Sequence, residues 1–175
     1  MTGQYGGMQL FGVLVDAAQV GSADFRARVG AEVSFGLSLY CHSRVVAGPD
    51  TGQPPGLVGL VVPAVRDSFY GGWVLTAGDV PFHVTEPSTS AEVAFIAEVR
   101  ERIGLTRVGV EGTLSVADGH IVDEVQDRWD LDMNRTWLVN RIVRITRGGH
   151  RYEIPEIEFD PTGSDYLIDI EGPRS

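Results

Sequence analysis

Lysine is missing altogether: all 14 basic side chains of this 175-residue chain are arginine. Arginine makes planar two-pronged contacts that lysine cannot, but the loss of a whole residue type first signals GC-rich coding. A high-GC bacterium or its phage is the expected source. Base is also scarce against acid. With 24 acidic residues the formal net charge is −10, which keeps the chain in solution and opposes general attraction to nucleic acid or anionic lipid. A single cysteine, Cys41, excludes an internal disulfide and fits a reducing cytoplasm. No apolar run approaches the ~20 residues that a membrane helix needs. Met1 to Met8 has no basic start followed by an apolar stretch, so no secretory signal is expected. Phosphate-cradling glycine loops, G-x-S-x-G and H-E-x-x-H are likewise missing, which counts against a hydrolase or nucleotide enzyme, and no cofactor is expected.

Apolar residues make up 43% of the chain, enough for a core, which excludes wholesale disorder. Without a repeat, linker or low-complexity block, the chain reads as one β-rich domain over 1–175, with 1–7 and 171–175 as flexible ends. Its clearest pattern is an alternation: Phe25, Ala27, Val29, Ala31, Val33, Phe35, Leu37, Leu39 and Cys41 are apolar, and mostly polar or glycine residues lie between them. A period of two over that length predicts one long strand with one buried face. Gly30 and Gly36 on its polar side allow the bend that barrel closure needs. Further strands are expected at 8–15, 57–62, 73–76, 80–84, 108–116 and 166–170.

Gly148-Gly149 suits a two-residue turn between strands 136–147 and 150–159. That register sets Arg144 against Glu153 and Arg141 against Glu156, and Pro155 makes 150–159 an edge or bulged strand. One helix is expected at about 90–103, opened by a Thr89/Glu92 capping box and ended by Gly104. Its apolar stripe is Val93, Ile96, Val99 and Ile103, and Glu98 and Arg102 are spaced for an ion pair. Residues 117–135 read as a loop. The predicted fold class is therefore mainly β, a single antiparallel barrel-like domain with one packed helix. The order of strands and helix resembles an OB-type barrel, which carries a helix between its third and fourth strands.

The candidate chemistry is sparse. Five arginines between 134 and 152, with Trp137, His150 and Tyr152, have the look of a nucleic-acid patch, but the hairpin register pairs two of them with acids. Arg141 falls on the row of Trp137, Val139, Val143 and Ile145, so an inward arginine there is expected to be paired or to line a cavity. Arg141 and Trp137 are the candidate ligand-binding residues. Phe69, Tyr70 and Trp73, beside Gly71-Gly72, form a second candidate surface for a partner. Asp118 and His120 are the candidate acid–base pair, placed to share a strand face. Asp130, Asp132 and Asn134 match the first ligand positions of a calcium loop, but Arg135 and Arg141 stand where that loop needs Gly and Glu, so no metal is expected. Cys41 continues the apolar row and reads as core.

These features predict a cytoplasmic binding module that acts without a cofactor, through a protein partner or as a homo-oligomer. The edge at 150–159 offers a route to pairing. The alternatives are a small barrel isomerase or cyclase enclosing an apolar substrate, which needs positioning more than motifs, and an OB-type binder of single-stranded nucleic acid.

Overall fold

The alternation that begins at Phe25 is broken twice. In the computed structural model, which describes residues 7–50 and 52–172, it is divided among β2 (Ala27–Arg28), β3 (Glu32–Phe35) and β4 (Leu37–Val46). Gly30 takes a left-handed φ of 80° in the turn between β2 and β3, and Val29 there is 41% exposed. Ala27, Phe35, Leu37, Leu39 and Cys41 are buried as the pattern requires. They serve two interiors, because the chain folds into two compact units, one of Gly36–Met133 and one of Phe35 and before with Asn134 and after.

The continuous unit holds β4, β5 (Leu57–Val62), β6 (Trp73–Ala77), β7 (Val80–Thr85), α2 (Thr89–Glu101), β8 (Arg107–Val116) and α3 (Gly119–Trp129). α1 (Ala17–Gly21) precedes it, opened by an Asp16/Gln19 capping box. Strands β5, β6 and β7 form an antiparallel meander, with Gly78-Asp79 turning β6 into β7. β8 pairs with β5 and with β4, and β4 closes the ring by lying parallel to β7. The result is a closed five-stranded barrel whose inward rows include Leu37, Leu39, Leu75, Phe82, Val108 and Val110. Fully burying one such side chain contributes roughly 1.5–3 kcal/mol.

Helix α2 starts one residue earlier than its sequence suggests. Ser88 is the N-cap, its hydroxyl accepting from the Ala91 amide, and Gly104 takes φ 95° beyond the end. The Glu98–Arg102 ion pair forms. The buried face is Glu92, Phe95 and Val99, while Val93 and Ile103 point to solvent. α3 replaces the expected loop. Its apolar residues Ile121, Val122, Val125 and Trp129 recur at helical spacing and pack with Val74, Ala117 and Met133, which the density of carboxylates around them had hidden. No helix among the described residues is long and apolar enough to cross a membrane.

The other unit contains β1 (Gln9–Val15), α1, β2, β3, β9 (Arg135–Ile145), β10 (Arg151–Glu153), β11 (Glu156–Ile157) and β12 (Asp165–Glu171). Its main sheet runs β10-β9-β12-β1, with β3 also on β9, and β11 pairs with β2 in a separate two-stranded sheet. The hairpin turn takes three residues instead of two: Thr146 pairs with His150, and Gly149 sits at φ 79°. Register therefore shifts by one, with Tyr152 opposite Arg144 and Glu153 opposite Val143. The strand breaks at Pro155, and β10 is the sheet edge, as the proline requires. Arg144 instead meets Asp160, whose carboxylate accepts from Arg144 Nη2 (2.8 Å), Tyr166 Oη (3.0 Å) and the Thr162 amide (2.9 Å). The expected flexible ends at 1–6 and 173–175 lie outside the described residues. Glu171 belongs to β12, and the Gly172 amide donates to the Met8 carbonyl.

Candidate functional site

Between β5 and β6 the chain runs along α3 in the opposite direction, held at each step. The Val65 amide donates to the Arg128 carbonyl (2.8 Å), Arg66 pairs with Asp127 (3.3 Å), and Glu124 Oε1 accepts from the Ser68 hydroxyl (2.9 Å) and the Phe69 amide. Tyr70 then sets its ring 4.9 Å from that of His120. Gly71 and Gly72 both adopt left-handed backbone, at φ 75° and 78°, and turn the chain into β6. The Gly71 carbonyl accepts from His83 Nε2 (3.1 Å), and the Gly72 amide donates to Glu92 Oε1 (2.8 Å). Only glycine fits at position 72, since a Cβ there would stand 2.6 Å from His83 Nε2. The second oxygen of Glu92 accepts from the Glu86 amide (2.9 Å). Glu86 takes Arg44 Nε (3.1 Å) and Trp73 Nε1 (3.3 Å), and the Arg44 guanidinium lies 3.8 Å over the Phe95 ring.

Three buried polar side chains from β7, α2 and α3 thus serve one segment, residues 66–72. Burial drives the His83 pKa down, more than the Gly71 carbonyl and the charges of Glu92 and Glu124 raise it, so the ring is neutral at neutral pH. Burial pulls the Glu124 carboxyl upward, but the Phe69 amide, the Ser68 hydroxyl, the Tyr70 amide and Arg128 outweigh it and hold the group below the usual glutamate range. Such an arrangement fixes a backbone shape.

Of the candidates read from sequence, Phe69 (78% exposed) and Tyr70 (50%) stand on this loop with their rings 5.0 Å apart. Trp73 does not join them: it is fully buried against Phe95, at the start of a barrel strand. Trp137 is also fully buried, its Nε1 donating to the Phe35 carbonyl. Arg141 is not inward. Asn140 is an extra residue opposite the Asp169–Ile170 step, and this bulge turns Ile142 into the core and Arg141 outward. There Arg141 pairs with Glu153 (2.6 Å) and more distantly with Asp169 (3.8 Å), neither of them the expected Glu156. It lines an open groove of about 500 Å³ with Phe11, Val143, Tyr152 and Leu167, and this is not an enclosed chamber. Replacing so exposed an ion-pair partner, Arg141→Ala, should leave the melting temperature within about 1–2 °C of wild type by calorimetry.

Asp118 and His120 do not share a strand face, because Asp118 is the N-cap of α3 and His120 lies in its first turn. Asp130 occupies the left-handed C-cap of α3 and accepts from Gln126. Among the described residues no three His, Cys, Asp or Glu side chains come together as a metal site would need. Cys41 is buried, its thiol donating to the Ser43 carbonyl, and burial followed by the charge of Glu86 pushes its pKa up.

The residues that shape the site were the ones sequence reading passed over. His83 had no neighbouring signal, and Glu92 read as half of a capping box. Glu124 was one acid among many. Their common feature, a polar group on a buried helical or strand face, becomes visible only once α3 is recognised. No protein-family model matches the chain, and no curated protein or solved structure matches it either.

Proposed function

We propose that this protein is a non-enzymatic interaction module that binds a protein partner, or a second copy of itself, through the loop 63–72. The observation that carries this reading is the clamp: His83, Glu92 and Glu124 are all buried, and each of them bonds the stretch Ser68 to Gly72. Ionised groups are expensive to bury. Here they hold in one conformation a loop that puts two aromatic rings into solvent, which is the preorganisation a binding hot spot needs. Aromatic side chains are also the type most enriched at such spots. An OB-type reading of the barrel is supported by its pairing order, a three-strand meander, then helix α2, then β8 returning beside β5. The strand that closes the ring, β4, comes first in the chain, so α2 follows the fourth strand of this barrel where an OB-type barrel has its helix after the third.

Placing a photo-crosslinking phenylalanine analogue at position 69 tests the reading. We expect defined protein adducts, heterologous or dimeric, from this position and none from the same analogue at Phe159, which is also exposed. Equal yields from the two positions, or none from 69, would overturn it.

A further inference from the structure

The surface around Phe69 has a definite chemistry. On one side of the loop, α3 turns His120, Asp123, Gln126, Asp127 and Asp130 outward. A hollow of about 590 Å³ lies there, lined by Val65, Arg66, Gln126 and three of those aspartates, so three carboxylates face a single guanidinium already paired to one of them. Asp67, at the loop tip, is fully exposed. On the other side a smaller, more closed hollow of about 70 Å³ is bounded by Val61, Pro63, Ala64, Ile96, Val99 and Trp129, with Arg100 the one charged residue in its lining. Its volume is about that of two waters in the liquid, and apolar walls of this kind favour an apolar occupant over water. Val65 lines the larger hollow, Ser68 and Gly72 line the smaller one, and Phe69 and Tyr70 are exposed between those two loop residues.

Building on the proposed function, we infer that the loop and the outer face of α3 dock a basic segment of another protein, which inserts one short aliphatic side chain into the hollow behind Ala64. Two independent features choose this occupant. The acidic strip complements cationic side chains, steers them in and repels both nucleic acid and a second copy of a chain of net charge −10. The small hollow rejects an aromatic anchor on size and accepts Val, Ile or Leu. Phe69 and Tyr70 stand exposed on the same loop, and their π faces suit an incoming arginine.

Panning a random peptide display library on the immobilised full chain tests this. We expect recovered sequences that combine Arg or Lys with an aliphatic residue and whose binding weakens with salt. Their affinity should fall about fivefold on the double change Asp123→Asn, Asp130→Asn. Asn tolerates the left-handed backbone at 130, and circular dichroism confirms that the variant is folded. The charge-matched pair Glu101→Gln, Glu158→Gln should bind as wild type. Failure to enrich basic sequences, or equal losses in the two double variants, overturns the inference. Adducts at position 69 to a protein segment without basic residues would overturn it too, while leaving the interaction module intact.

Discussion

Asp160→Ala should lower the melting temperature by about 10 °C, the largest effect expected of any single charged residue in the unit built on β9 and β12. The carboxylate is 9% exposed and its partner Arg144 26%. Deleting it strands a mostly buried guanidinium and removes the acceptor for Tyr166 and Thr162. Breaking a buried pair from one side costs about 3–5 kcal/mol, and each kcal/mol is worth about 2–4 °C in a chain of this length. The pH dependence has a definite sign. Burial raises the Asp160 carboxyl, but the hydroxyl and amide of Thr162, Ser164 and the Tyr166 hydroxyl outweigh it and hold its pKa well below the ordinary aspartate value. A depressed folded-state pKa means that the unfolded chain takes up the proton first as acid is added. The contribution of Asp160 is therefore complete above about pH 4 and is lost as pH falls below it. Melting curves of the wild type should drop through that range, and those of Asp160→Ala should drop less. Identical acid slopes for the two proteins would contradict the assignment. At the other end of the scale, Tyr166 is pushed up to about 12, first by burial and then by its bond to the same carboxylate, so its phenol stays protonated in ordinary buffers.

Glu92→Ala should cost about 3 kcal/mol, or about 6–12 °C, because two amides, those of Gly72 and Glu86, lose their acceptor inside the protein. The diagnostic readout is amide hydrogen exchange: protection should vanish at Gly72 and Glu86 and persist in β8. Glu92→Gln keeps one acceptor oxygen and should fall between the two. His83 reports on the same clamp. Its lowered pKa means that protons favour the unfolded state as pH falls below about 6.5, so the stretch Ser68 to Gly72 should loosen on mild acidification, before Asp160 is affected. If Glu92→Ala leaves both amides protected, the loop is held by something other than the carboxylate.

The sequence-based reading succeeded where one face of an element meets the core and failed where two demands meet in one segment. Alternation located Leu37, Leu39 and Cys41 in the barrel because a strand with one wet side must repeat every second residue. α3 escaped because its apolar residues are few and its outer face, with Asp123, Asp127 and Asp130, dominates any local average. The hairpin register slipped by one residue because Gly148-Gly149 is compatible with turns of two or three residues, and the slip set Glu153 opposite Val143 instead of Arg144. Arg141 changed face for a similar reason, a one-residue bulge at Asn140 that no periodicity announces. At the candidate site, Phe69 and Tyr70 were legible as exposed aromatics in a Gly-flanked loop. Glu92, Glu124 and His83 were not, because what marks them is the distant backbone they serve.

The break at Phe35–Gly36 also sets an order of events. Everything the barrel unit needs is encoded in one uninterrupted stretch, so it can close as soon as residue 133 has left the ribosome. The strands before it include β1, β2 and β3, which pair with β12, β11 and β9, all of them after residue 133 in the chain. The unit that these strands share is therefore completed second, after the synthesis of the nearly one hundred residues (Gly36–Met133) that separate its two segments.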